Sequence, residues 1–372
     1  MKFSCHQQAL SKALNIVSKA VTSRTTIPIL KGILLRVDEN GKLTISASDL
    51  DLSIEKTLDV ESFIPGETVV FAKLFGDIIR KLPNDIITIE YEDGKVTIRC
   101  ASSEFNIIGM PADEFPSLNM PEEADDQILF SKEVLKEMIQ KTAFAASIDE
   151  SRGVITGVLV EMEEDSMNMV ALDGFRMAIT RENMKNKERE SIVIPAKIFG
   201  EISKIISETE TEENNQVRLY INDKRAIFLM EDSRVVLRLL EGEFVKYRDI
   251  LPKESKTRIV LNRSDFLNSI ERASLLAKVG KNNLIKLDMK ENNMEITSKS
   301  EEGNVKEDVI ISKEGNDLVI GFNSKYMMDV LKVIDDEEIV MLFNSSISPC
   351  LVKPLSGNRF EYLILPVRIT NN

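Results

Sequence analysis

The chain has 372 residues, is 43% hydrophobic and 29% charged, and carries a net charge of −13. This composition suits a globular protein of two or three domains, and no apolar run reaches the roughly 18 residues of a membrane span. One histidine, His6, cannot build a His-based triad or metal cluster, and neither the G-x-x-x-x-G-K-S/T nor the G-x-G-x-x-G phosphate loop occurs. Cys5, Cys100 and Cys350 match no zinc or disulfide spacing, and Met1 to His6 lacks a signal-peptide core. A cytoplasmic location without metal or cofactor is the expectation.

In chain order, Leu10, Leu14 and Val17 recur at helical spacing and predict a helix over 7–20. Strands follow at Ile33–Val37 and Lys42–Ser46 around the Asn40-Gly41 hairpin signal. The apolar run Val69-Val70-Phe71 leads into a helix over 73–82. Two strands then flank Asp93-Gly94, and a third runs through Phe105 to Ile108. Met110 to Gln127, acidic and proline-bearing, reads as a linker. Phe130-Ser131 then repeats Phe3-Ser4, with helices over 132–141 and 197–206, and Ser207 to Gln216 reads as a solvated loop. The last third has helices over 265–278 and 325–334, a hairpin from Val340–Phe343 to Leu351-Val352, and a strand from Tyr362 to Ile369.

One helix recurs. Lys73-Leu74-Phe75-Gly76-Asp77-Ile78-Ile79-Arg80, Lys197 to Lys204 and Lys325 to Lys332 each carry a leading lysine, an acid four residues on and a base seven residues on. They lie 124 and 128 residues apart, a domain-repeat spacing. The chain therefore reads as α+β, three similar domains of two helices packed on antiparallel sheets: 1-122, 128-252 and 253-372. The leading lysine sits at the positive end of the helix dipole, where a cation is disfavoured. It either faces an outside anion or is a tolerated surface residue inherited by duplication. The six helices hold 14 basic and 7 acidic residues, so basic charge is concentrated on them within an acidic chain.

Asp49 and Asp51 could share a metal ion as next-but-one residues of an extended segment. A metal-dependent nuclease or phosphatase using these two and Asp173 is the enzyme alternative. The repeat favours turn roles, because Asp173 stands in an Asp-Gly turn. Asp335-Asp336-Glu337-Glu338 reads as a solvated turn after a helix.

The order and spacing of several segments carry a family resemblance. They are Met1-Lys2-Phe3, Ile27-Pro28-Ile29-Leu30, Ala47-Ser48-Asp49-Leu50, Asp113-Glu114-Phe115-Pro116, Asp173-Gly174-Phe175-Arg176-Met177-Ala178, Tyr247-Arg248-Asp249-Ile250-Leu251-Pro252 and Leu365-Pro366-Val367-Arg368. Over essentially its whole length the chain resembles the bacterial DNA sliding clamps, the beta subunits of the replicative DNA polymerase. The resemblance implies half of a six-domain closed ring, a homodimer lined by helices, encircling double-stranded DNA without reading sequence. It implies a processivity factor and no enzyme. The other reading is a three-domain protein-interaction scaffold that does not encircle DNA.

The resemblance puts Arg24 and Lys73 at DNA-contacting positions. A third such position holds Asp149, with Arg152 as its substitute, and Gly153 and Val154 replace two family aromatics. Helix charge adds Lys12, Lys19, Lys136, Lys197, Lys204, Arg272 and Lys332. A pocket for partner peptides is implied at Ile155, Leu172, Gly174, Arg176, Met177, Val245, Ile250, Ser348, Leu363, Leu365, Pro366, Val367 and Arg368. Its partners would be the polymerase catalytic subunit, the clamp loader, repair polymerases, and ligase or mismatch-repair proteins. Phe105 and Ile107 match one side of the family's subunit interface, Leu275 and Leu276 the other.

Overall fold

A computed structural model describes residues 1–22, 25–116, 127–185, 189–208, 215–222 and 224–369. Arg24 lies outside them. The six α-helices are α1 (Gln7–Val17), α2 (Ala72–Lys81), α3 (Lys132–Thr142), α4 (Ala196–Glu208), α5 (Arg263–Ala277) and α6 (Ser324–Lys332). Each repeat contributes two. In α2 the buried Phe75, Ile78 and Ile79 recur at three and four residues, which turns one stripe to the core and leaves Lys73 and Asp77 outside. Asn323 starts α6, its side chain accepting the Lys325 amide.

Among the described residues the strands form four antiparallel sheets of five, eight, nine and four strands. Hairpins set much of the register. Asp93 and Gly94 both have positive φ, 51° and 77°, as a two-residue hairpin loop requires, and this pairs Glu92 with Lys95.

The chain divides into two compact units, 1–135 with 201–239, and 136–200 with 240–372. Each unit contains a seam where strands of two repeats join in one sheet. In the first, Ser233–Arg238 of repeat two pairs with Leu52–Asp59 of repeat one, matching Val235 to Ile54 and Leu237 to Leu52. In the second, Arg176–Asn183 of repeat two pairs with Phe360–Ile364 of repeat three, from Arg176 opposite Ile364 to Thr180 opposite Phe360. Both seams thus join the fourth strand of one repeat to the last strand of the next.

Three sequence expectations change. The last strand ends at Ile364, not Ile369. Pro366 has no N–H to continue a ladder, and the Leu365 and Val367 amides donate elsewhere, to Phe175 O at 2.9 Å and Gly321 O at 2.8 Å. The loop expected from Ser207 loses its ends: α4 continues through Glu208 and a strand begins at Gln216. The linker expected from Met110 begins as core. Met110 bridges to Val69, and Phe115 is buried with Ile29, Leu30 and Leu34. Residues 117–126 lie outside the described residues.

Candidate peptide groove and nucleic-acid interface

The second seam ends in a tight turn. Asp173 accepts the amides of Phe175 and Arg176 on one carboxylate oxygen, at 2.8 and 3.0 Å. Gly174 takes φ +89°, and a Cβ there would stand 3.1 Å from Arg152 Nη2, so a side chain would be strained and crowded. Arg152 donates to the Asp173 carbonyl at 2.5 Å and braces this turn.

Arg176 was expected to line a pocket. It is 9% exposed, and each of its guanidinium nitrogens donates inside the unit. Its Nε donates to Asp173 Oδ2 at 3.1 Å, one Nη to Asp329 Oδ2 at 2.5 Å and the other to the Phe144 carbonyl at 3.0 Å. The guanidinium lies 5.2 Å from the Phe144 ring centre and 4.8 Å from that of Tyr326. Burial of a charge is tolerable only with this degree of pairing.

Five of the expected groove residues meet in one apolar cluster. Leu172, Met177 and Leu363 are buried in it beside Tyr247 and Leu351, and Ile155 and Leu365 pack against it half-exposed. Leu363 is therefore floor rather than wall. Val245 and Ile250 are exposed, next in sequence to the cluster's Phe244 and Leu251. Ser348 exchanges a hydroxyl hydrogen bond with Ser345, and the adjoining Ile347 is 79% exposed. Pro366 and Val367 are half-buried and Arg368 exposed.

Sequence reasoning missed Phe175, Tyr326 and Ile347. Phe175 is 55% exposed and stacks on Tyr326 at 5.9 Å between centroids, 19° between planes. An exposed aromatic beside a glycine turn was the signal available for Phe175. Covering side chains of this size contributes about 1.5–3 kcal/mol each.

The basic residues fall into two groups. Lys12, Lys73 and Lys197 are exposed, and among the described residues no ion pair is found for them. Lys19 pairs with Glu208 at 2.9 Å, Lys204 with Glu201 at 2.8 Å, Lys332 with Glu271 at 2.9 Å, and Arg272 with both oxygens of Glu307 at 2.9 and 2.5 Å. Lys136 is half-buried on α3. Asp149 caps the turn that follows it, accepting the Ser151 amide and hydroxyl, which hold its carboxyl below the usual range.

Two carboxylates of the enzyme alternative, Asp49 and Asp173, serve the backbone, and Asp51 faces Arg238 at 3.9 Å. Asp49 accepts the amides of Asp51 and Leu52, as Asp173 does at its own turn. Asp335 pairs with Lys141, and Asp336 with Arg359.

Among the edge strands of the four sheets, two that lie in repeats one and three carry exposed apolar residues. Ser103–Ile108 ends the five-stranded sheet with Phe105 exposed and Ile108 72% exposed. Beside it a cleft of about 500 Å³ is lined by Phe71, Leu74, Lys95, Asn106, Ile107 and Ile108. Gly303–Ile310 ends the four-stranded sheet with Ile310 exposed. On the neighbouring α5, Leu275 is 66% exposed and Leu276 half-buried. These are the interface residues expected from the sequence.

A repeat-built protein with sheet seams, a partly exposed apolar cluster at one seam and exposed apolar edge strands is suited to binding. Its three parts match the N-terminal, central and C-terminal domains of the DNA polymerase III beta subunit, over residues 1–120, 130–246 and 248–368. The chain is 36% identical to the beta sliding clamp of Bacillus subtilis, over 99% of this chain and all of that one. The crystal structure of the DNA polymerase sliding clamp from Bacillus subtilis superposes with a TM-score of 0.93 at 34% identity, covering all of both chains. That of the DNA polymerase III beta subunit from Thermotoga maritima gives 0.91 at 32%, covering 99% of this chain and all of that one. The chain belongs to the DNA polymerase III beta-subunit family, the bacterial sliding clamps, and is a processivity subunit rather than an enzyme.

Proposed function

We propose that two copies of this chain close into a ring of six domains around duplex DNA and hold the replicative polymerase on it. The domains are taken as 1-122, 128-252 and 253-372. One observation carries the reading. Both seams join the fourth strand of one repeat to the last strand of the next, and the strands left without such a partner are the fourth of repeat three, Gly303–Ile310, and the last of repeat one, Ser103–Ile108. A second copy supplies the missing partner for each edge. An exposed apolar edge strand is otherwise an aggregation hazard. Phe105 and Ile107 would meet Leu275 and Leu276 of the second copy, with Leu275 entering the cleft at Ile107, in a head-to-tail contact that closes after two copies.

The helices line the opening. Arg24, Lys12, Lys73 and Lys197 touch phosphates, Lys136 lies on α3 of the same lining, and Lys19, Lys204, Arg272 and Lys332 add weaker contacts because each already has an acid partner. The bond from Arg152 to the Asp173 turn favours a groove role for it over a phosphate contact. The groove takes a short apolar segment of the polymerase catalytic subunit, and of the clamp loader, repair polymerases, and ligase or mismatch-repair proteins. It offers Ile155, Leu365, Val367, Phe175, Val245, Ile250 and Ser348 over the floor of Leu172, Met177 and Leu363. The cytoplasm is the compartment for this work.

Retention on circular DNA tests the reading. The protein is loaded onto nicked circular plasmid by a clamp loader with ATP, washed at high salt, and the circle is then cut. Release only after cutting is expected. Loss during the wash, with a loader proven on a known clamp, overturns encirclement in favour of a scaffold.

A further inference from the structure

The recurring helix keeps its acid for itself in two copies and gives it away in the third. In α2, Asp77 pairs with Arg80 of the same helix at 3.1 Å. In α4, Glu201 pairs with Lys204 of the same helix at 2.8 Å. In α6, Asp329 does not pair with Lys332, which turns to Glu271 of α5. Asp329 bonds Arg176, 153 residues away, at the end of the second seam.

This diversion falls where the groove needs rigidity. The tail 365–367 passes between two supports, Leu365 bonding to the Phe175 carbonyl and Val367 to the Gly321 carbonyl. Phe175 belongs to the turn and Gly321 to the strand Leu318–Asn323 that leads into α6. The spacing of these supports is set by what joins the turn to α6. Three contacts do so: the stack of Phe175 on Tyr326, the Arg176 guanidinium against the Tyr326 ring, and the ion pair of Arg176 with Asp329. The stack slides readily; the ion pair, with Arg176 also held by Asp173 and Phe144, is directional.

We infer that Asp329 is a positioning residue for the peptide groove, acting through Arg176 to fix the turn 173–176 against α6 and so hold the tail at binding width. This rests on the groove reading given above. Asp329 itself touches no peptide. It pre-organises the site, and its loss moves the ordering cost onto each binding event.

The test measures binding of a fluorescein-labelled peptide copying the C-terminus of the polymerase catalytic subunit, by anisotropy, to the full-length dimer. Asp329→Asn is expected to weaken binding at least about tenfold, a loss of about 1.4 kcal/mol. Asp329→Glu, which keeps the charge, should restore affinity to within about threefold of the parent. The repeat supplies controls: Asp77→Asn and Glu201→Gln should bind as the parent does. Leu365→Asp tests the groove separately. If it binds as tightly as the parent, the groove reading falls; if it fails to bind while Asp329→Asn binds normally, only the present inference falls. Equal weakening by Asp329→Asn and Asp329→Glu also overturns it. Should Asp329→Asn not fold, the double variant Arg176→Met/Asp329→Leu removes both charges together and is read in its place. Parental affinity there is the overturning result.

Discussion

The two seams begin from one turn and end differently. At both, an aspartate caps two amides and the next residue takes positive φ: Asp49 with Leu50 at 80° in the first, Asp173 with Gly174 at 89° in the second. The next two residues separate them. Asp51 and Leu52 follow in the first, and Leu52 simply enters the core. Phe175 and Arg176 follow in the second, giving an exposed aromatic and a buried cation that reaches into a helix. On the proposed reading, a joint between repeats becomes a binding site through two side chains and a terminal tail, with the backbone retained.

The comparison extends to the exposed apolar edges, where the largest effect is expected. If they are a third seam completed by a second copy, Leu276→Lys should weaken dimerisation by about a thousandfold, or about 4 kcal/mol. Sedimentation at micromolar concentration would show monomer; a persistent dimer would separate the edges from the seams. Deleting residues 366–372 should reduce affinity for a polymerase C-terminal peptide by at least about a hundredfold, about 2.7 kcal/mol, in calorimetry. Retained affinity would mean that the second seam's tail is not what distinguishes it from the first. Replacing both Lys197 and Lys204 with Glu should weaken DNA association roughly tenfold and leave the melting temperature within a few degrees, since exposed pairs contribute little to stability. The smallest effect tests the first turn alone. A non-glycine residue in left-handed backbone costs roughly 1–2 kcal/mol, partly offset by glycine's unfolded-state entropy. Leu50→Gly should therefore raise stability by about 0.5 kcal/mol in chemical denaturation, whereas Gly174→Leu should lower it.

Much of this was legible in the sequence because it repeats or is periodic. The six helices came from apolar spacing, the hairpins from Asn40-Gly41 and Asp93-Gly94, and the turn role of Asp49 from its match to Asp173. Ile155, Leu172, Met177, Leu363 and Leu365 were named together and do meet in one cluster. What escaped was pairing across distance. Nothing local marks Asp329 as the partner of Arg176, or Glu307 as that of Arg272. A helical residue's charge is visible in sequence; the neighbour that neutralises it is fixed only by packing. The false end of the last strand has the same origin, for the apolar run through Ile369 was real, but Pro366 and two distant carbonyls redirected it.

The acid partners of Lys19, Lys204, Arg272 and Lys332 also bear on how binding would respond to salt. A free lysine that neutralises a phosphate expels condensed counterions from the duplex, and affinity then falls steeply with ionic strength. A lysine that first leaves a glutamate uncovers that carboxylate, which recruits a cation from solution and cancels part of the release. Four such exchanges, if these residues meet phosphates as proposed, would add less salt dependence than four free cations. They would also flatten the energy profile along the duplex, because each step from one phosphate to the next could be bridged by a return to the resident acid.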